Sequence, residues 1–511
     1  MQDNSENTKR IAKNTLMLYG RMLFSMVVSL YTSRVVLNTL GVVDYGIYGV
    51  VGGFVSMFSL ISSSLSSAVS RFLTFELGRG DKERLGKAFS TSLLIHIVLA
   101  IVVFIIAETV GVWFVNNKMT IPADRMYAAN WVFQASILSF MFGLFSVPYN
   151  ASIVSHEKMS AFAYIGILDT TLKLLIVLFI AYSSWQFDRL IVYAVLLVVV
   201  GLMLQCIYII YCRRHFQECR LRISFDKDFW KEISSFAGWN FIGCTAGMLK
   251  SQGVNLLLNL FYGPILNTAR GVATTINGAV ITFVNNFMTA INPQITKSYA
   301  SNEIDYTFSL IKRGARFSFY IILVISYPIL LETDFVLDIW LKQYPEHTVN
   351  FVRLVLVLSL TEVLSNTLIT LQLATGHIRN YQIAVGGVLL LNFPLSYICL
   401  KIGLPPESTY LIAIIISISC LFLRLSFLKK ITNFSPQSYI KEVLLNVSLV
   451  TLFAMILPTI VHVLLHYGLT RFLSVSVVSL ISSFVSILYI GCSKEERMFI
   501  INKTIQIFSK K

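Results

Sequence analysis

The sequence predicts an all-α polytopic membrane protein of about 14 transmembrane helices, two parallel six-helix bundles around a central cleft plus two C-terminal helices. Three observations carry this: a series of long apolar runs, an uneven sharing of Lys and Arg among the short segments between them, and a weak internal repeat. A run of roughly 20 or more apolar residues, at about 1.5 Å rise per residue, spans a hydrocarbon core of about 30 Å. Hydropathy alone therefore makes lipid the solvent of this fold.

Taken in order, the runs fall at about 13–37, 44–68, 88–115, 126–150, 160–182, 188–211, 234–260, 269–294, 312–332, 351–374, 379–401, 407–428, 439–466 and 470–491. With both termini cytoplasmic, the inner segments hold 29 of the 41 Lys and Arg residues. The outer ends hold nine: Arg34, Lys118, Arg125, Arg189, Arg270, Lys342, Arg353, Lys401 and Arg471. Arg21, Lys173 and Lys250 lie inside spans, and the bias sets the orientation. The net charge of +15, which in a soluble protein would suggest nucleic acid, is accounted for by positive-inside segments against anionic lipid. The opening MQDNSENTKR is polar and acidic, so the first run reads as an uncleaved span. Seven cysteines show no CxxC pair and are expected as buried thiols, with neither a disulfide framework nor a metal site.

The chain repeats at an offset of about 221 or 222 residues: Leu37, Asn38 and Gly41 answer to Leu258, Asn259 and Gly263, and Gly49-Val50 to Gly271-Val272. Six spans precede the second copy, so the halves are expected to be parallel repeats with a cleft between them. This divides the chain into 1–211, the N-terminal bundle; 212–233, a cytoplasmic amphipathic linker mixing cations with Phe216, Phe225, Phe229 and Trp230; 234–430, the C-terminal bundle; and 431–511, two further helices and a cytoplasmic tail. The last two spans carry no charge in their middles and read as an appendage facing lipid or a partner.

Charge inside a span costs about 2.5–3.5 kcal/mol on insertion scales, so its presence needs a reason. Arg21 sits about 12 Å into its span, Lys173 about 20 Å and Lys250 about 24 Å, too deep for easy snorkelling. With Arg34 and Arg270 at the outer mouth they form an expected basic column that attracts anions. Lys173 lies four residues after Asp169, so a helical ion pair is the structural alternative; for Arg34 and Arg270 it is snorkelling. Polar stripes accompany the cations: Asn14, Ser25, Ser29 and Thr32 with Arg21, Asn255 with Lys250, and Thr274, Asn277, Asn285 and Asn292 with Arg270. They suit hydroxyl-rich substrate or, alternatively, helix-to-helix hydrogen bonds. Glu362, midway through its span with no cation one helical turn away, is the first ion-coupling candidate, and Asp169 the second. No HExxH, GxSxG or Walker lysine loop is present, so neither a catalytic residue nor a cofactor is expected.

The stretch RIAKNTLMLYGRMLFSMVVSLYTSRVVLNTLGVVDYGIYGVVGG, followed by SRFLTFELGRGD and later by NPQITKSYA, resembles the polysaccharide transporters of the multidrug/oligosaccharidyl-lipid/polysaccharide (MOP) exporter superfamily. Such proteins are similar to O-antigen and capsule repeat-unit flippases. The resemblance implies an undecaprenyl-diphosphate-linked oligosaccharide as substrate, moved across a bacterial inner membrane by alternating access. It also implies a cation-lined lumen, which Arg21, Lys173, Lys250, Arg34 and Arg270 match in kind, with Asn255, Asn277 and Asn285 as substrate contacts. Its partners would be membrane lipids and the polymerase or ligase machinery of surface polysaccharide, with no nucleic acid. A multidrug or cation antiporter of the same superfamily is the alternative, expected to hold acids in its lumen. A membrane glycosyltransferase or polymerase would need a larger outer loop than roughly 333–350.

Overall fold

A computed structural model describes residues 2–56, 58–117, 119, 121–183, 187–220, 226–248, 250, 253–262, 264–341 and 344–498. Among them every regular element is helical and no strand occurs. In chain order the helices are α1 (Gln2–Ser56), α2 (Ser59–Arg79), α3 (Lys82–Asn117), α4 (Ala123–Ser155), α5 (Met159–Tyr182), α6 (Arg189–His215), α7 (Lys227–Met248), α8 (Val254–Tyr262), α9 (Pro264–Ala300), α10 (Ile304–Leu331), α11 (Thr333–Leu341), α12 (Thr348–Thr375), α13 (Arg379–Lys401), α14 (Ser408–Thr432), α15 (Pro436–Leu464) and α16 (Leu469–Gly491). Ten of these are long and apolar enough to cross a membrane: α3 to α6, α10 and α12 to α16. The spans expected at 13–37, 44–68, 234–260 and 269–294 fall on α1, α2 and α7 to α9, which are helical but outside those ten.

Local chemistry sets the ends. Gly41, at φ 80° and ψ 168°, breaks α1 where the first span was expected to close, a conformation a side chain would strain. Gly80 takes the left-handed position that ends α2. One residue later the Asp81 carboxylate accepts from the amides of Glu83 and Arg84 at 3.1 and 3.0 Å and starts α3. Asp188 caps α6 in the same way, through Leu190 and Ile191 at 2.9 and 3.4 Å.

The chain forms two compact units, Met1–Phe241 with Tyr299–Asn302, and Ile242–Ser298 with Glu303–Lys511. Of the segment expected as a linker, the first residues end α6, Phe216–Arg220 is non-helical, 221–225 lie outside the described residues, and the last residues begin α7.

In the first unit, Val51 and Val55 of α1 pack with Ala107 and Val115 of α3, Phe133 and Ile137 of α4, and Leu190 and Ala194 of α6. Val36 joins Ile176, Val177 and Ile180 of α5. Arg125 ties the end of this unit, reaching Asp44 at 2.5 Å and Asp188 at 2.6 Å. The opposite, outward faces stay apolar: Val98, Ile101, Val102 and Ile105 form an exposed stripe at helical spacing on α3, as lipid contact requires.

In the second unit, α15 and α16 are fastened to α10 along its length. At one end the Glu332 carboxylate, fully buried, accepts from His462 Nδ1 at 2.7 Å and lies 3.0 Å from Arg471 Nε. Midway Tyr327 donates to the Met455 carbonyl at 3.0 Å. At the other end Arg316 reaches Glu496 at 3.0 Å and the Gly491 carbonyl at 2.9 Å, while Lys312 meets Glu442 at 2.8 Å. The fastening charges sit at the span ends. A lipid-facing stripe of Leu452, Phe453, Ile456, Leu457 and Ile460 remains exposed on α15.

Candidate functional site

A polar seam joins α1 to α5. Arg10 pairs with Glu157 at 2.9 Å, Asn14 donates to the Glu157 carbonyl at 3.4 Å, and Ser25 bonds Thr170 at 3.1 Å. On α1 the contacts fall at residues 10, 14 and 25, steps of four and eleven that keep to one helical face, and they meet Glu157 in the turn before α5 and Thr170 on it. Arg21 lies in the same seam, its guanidinium carbon 4.4 Å from the centre of the Phe162 ring.

Beside the seam is an open cavity of about 740 Å³, lined within the first unit by α1, α4, α5 and α6. Arg21, Asp169 and Lys173 all line it. The i, i+4 pair forms as its spacing requires, Lys173 Nζ lying 2.8 Å from Asp169 Oδ2. Arg21 makes no ion pair among the described residues. Polar groups complete the wall: the Ser146 hydroxyl donates to Gln205, Tyr208 lies nearby, and the buried Asn150 Oδ1 has no hydrogen-bond partner among the described residues. Tyr48 and Tyr193, edge to face at 5.2 Å, add an aromatic side. The cavity thus offers a fixed cation, an ion pair, hydroxyl and amide groups, and flat apolar surface. That combination suits an anionic group attached to a polyhydroxylated ring, because oxyanions take the charge while sugar faces take the rings.

The second unit arranges its charge differently. Lys250, between α7 and α8 in the chain, lies 2.5 Å from Glu362 Oε1. Its backbone carbonyl accepts from Asn392 at 3.2 Å. Glu362 therefore has a cation partner, one that the sequence did not reveal because it comes from 112 residues away. The buried Arg424 donates to Tyr381 at 3.2 Å and to Ser365, three residues after Glu362, at 3.1 Å.

The remaining sequence-predicted residues are spread out. Arg270 is buried, its guanidinium carbon 5.4 Å from the Tyr410 ring centre. Asn277 accepts a hydrogen bond from Ser359 at 2.7 Å, and Asn292 accepts one from Thr370 at 2.8 Å, so both join helices. Asn285 is exposed and Asn255 half-buried. The side chain of Arg34 and residue Gly263 lie outside the described residues. Of the cysteines expected as buried thiols, Cys212, Cys219, Cys420 and Cys492 are buried and Cys206 is exposed. Sequence reasoning missed Gln205, Asn150 and Tyr208, single polar residues in apolar helices with no pattern to mark them.

Solved structures share this architecture. A MATE in the bent conformation superposes with a TM-score of 0.73 at 13% identity, covering 84% of this chain and 97% of that one. An outward-facing multidrug resistance MATE family transporter of the MOP superfamily gives 0.72 at 13%, with the same coverage. A MOP superfamily transporter from Pyrococcus furiosus, described by the reverse polarity of its binding pocket, gives 0.66 at 13% and covers 82% of this chain and 95% of its own. At such identities the likeness shows the fold alone, that of MOP-superfamily transporters. No curated protein sequence matches the chain. A family model does: the one for polysaccharide biosynthesis proteins matches residues 9–298, more than half of the chain, and this protein belongs to that family.

Proposed function

We propose that the protein is a flippase for a polyprenyl-diphosphate-linked oligosaccharide, carrying it from the cytoplasmic to the periplasmic leaflet of a bacterial inner membrane for surface-polysaccharide synthesis. The observation that carries this reading is the cavity of the first unit, where Arg21 and Lys173 stand among amide, hydroxyl and tyrosine groups. The diphosphate needs the cations, the sugars need the hydrogen-bonding and aromatic wall, and the polyprenyl tail stays in lipid. Membership of the polysaccharide biosynthesis family supports the same substrate class. A cation antiporter, the alternative weighed from sequence, needs an uncompensated acid in its cavity. Asp169, the acid lining this one, is held 2.8 Å from Lys173.

Both coupling candidates, Glu362 and Asp169, sit on a lysine. The 29 to 9 charge bias supports cytoplasmic termini.

The deciding experiment deletes the gene and identifies the lipid-linked sugar left on the cytoplasmic leaflet. Accumulation of a diphosphate-linked repeat unit is expected. Intact glycan export with new sensitivity to cationic drugs would establish the antiporter instead.

A further inference from the structure

We infer that Gly166 is a positioning residue: it leaves the space through which the Arg21 side chain is aimed into the cavity of the first unit. This rests on the reading of that cavity as an anion site. Helices α1 and α5 are held together below and above by Asn14 on the Glu157 carbonyl and by Ser25 on Thr170. Between those contacts α5 presents Phe162 and, one turn on, Gly166, both of which line the cavity with Arg21. The Arg21 side chain crosses α5 at the glycine.

A Cβ placed on Gly166 would lie 2.8 Å from Arg21 Cδ, 3.3 Å from Nη1 and 3.6 Å from Cγ, and these three atoms are its nearest neighbours. The first distance is inside van der Waals contact, so something must move. The atoms that yield belong to a flexible side chain, not to backbone. The guanidinium would therefore leave the face of Phe162, where its carbon now sits 4.4 Å from the ring centre, while the helices keep their seam. Propensity points the other way. Gly166 lies inside α5 without a left-handed φ, and alanine there favours the helix. A methyl group at 166 should thus leave stability unchanged or raised and impair the anion site, a separation that a merely structural glycine would not produce. The same geometry sets specificity, because a displaced guanidinium loses its oriented pair of N–H donors before it loses its charge.

The test uses full-length protein in lipid nanodiscs, titrated calorimetrically with farnesyl diphosphate and, as uncharged control, farnesol. Wild type is compared with Arg21→Ala, Gly166→Ala and the double variant. Gly166→Ala is expected to weaken diphosphate binding about tenfold, and Arg21→Ala at least as much, with farnesol binding equal in all four. The double variant should bind no more weakly than Arg21→Ala, because Gly166 acts through Arg21. Additive losses, or wild-type binding by Gly166→Ala beside a weakened Arg21→Ala, overturn the role of Gly166 and leave the anion site standing. Wild-type binding by Arg21→Ala overturns the anion site itself and the inference with it. Should Gly166→Ala not fold, the double variant, which lacks the clashing side chain, is expected to fold; its failure to do so overturns the inference.

Discussion

In the first unit the guanidinium of Arg21 lies along the wall of a cavity of about 740 Å³ and makes no ion pair among the described residues, whereas in the second unit Lys250 is set against Glu362 at 2.5 Å with 13% of its side chain exposed. From sequence the two look alike, each a lone cation deep in a span. Their energetics differ. Removing Arg21 leaves no buried acid behind, so its loss falls on whatever anion it meets. Removing Lys250 strands a carboxylate, so its loss falls on the fold as well. The second unit repeats that economy at Glu332, whose buried carboxylate is shared by His462 and Arg471. The charge of Arg21 is kept available, and that of Lys250 and Glu332 is spent on holding helices together.

The largest expected effect tests the second half of this comparison. Glu332→Ala leaves His462 and Arg471 facing an emptied site and should destabilise by about 3–5 kcal/mol, the usual cost of breaking a buried pair. Thermal melts in detergent would read this as a large fall in midpoint, with α15 and α16 becoming sensitive to protease near Gly468. An unchanged midpoint would mean that apolar contact alone fastens those helices.

Arg21→Ala should cut transport by tenfold or more with the protein present at its normal level and melting within about 2 °C of wild type, since a lost charge-assisted contact is a binding effect. Arg21→Lys should retain part of the activity, keeping charge but not the forked geometry. A melting loss equal to that of Glu332→Ala would erase the contrast between the units.

Lys250→Ala should cost about 1–2 kcal/mol, less than Glu332→Ala because the Glu362 side chain is 44% exposed and can be hydrated. Pairing it with Glu362→Gln removes the stranded charge and should recover most of the midpoint. Absence of recovery would show that the ammonium, rather than the pair, is what the fold needs.

The smallest effect probes a place where the first unit also pairs its charges. Burial by itself would raise the Asp188 carboxyl, but the hydrogen bond and charge of Arg125 and the amides of Leu190 and Ile191 hold it below its ordinary value. A depressed carboxyl contributes stability that is fully present above its unfolded pKa of about 3.9 and is lost as pH falls through the lower folded value. Asp188→Asn should therefore cost about 1 kcal/mol at pH 6, with the gap to wild type closing as pH drops below about 4. A gap independent of pH would assign Asp188 a capping role without the charge.

What the amino-acid sequence determined by itself is what repeats or pairs within a few residues. Apolar runs long enough for a bilayer set the helices. Asp81 and Asp188 set two of their starts, and Gly41 and Gly80 two of their breaks. The four-residue step from Asp169 to Lys173 set their ion pair, because i and i+4 share a helix face whatever surrounds them. The tertiary structure alone decided who meets whom across helices. Glu362 received Lys250 from 112 residues away and Glu332 received His462 from 130, and no periodicity reaches so far. Arg21 shows the division within one residue. Its place within an apolar run was legible, but its freedom from an acid and its passage over Gly166 depend on which face of α5 packs against α1, and side-chain packing settles that only once the helices are together.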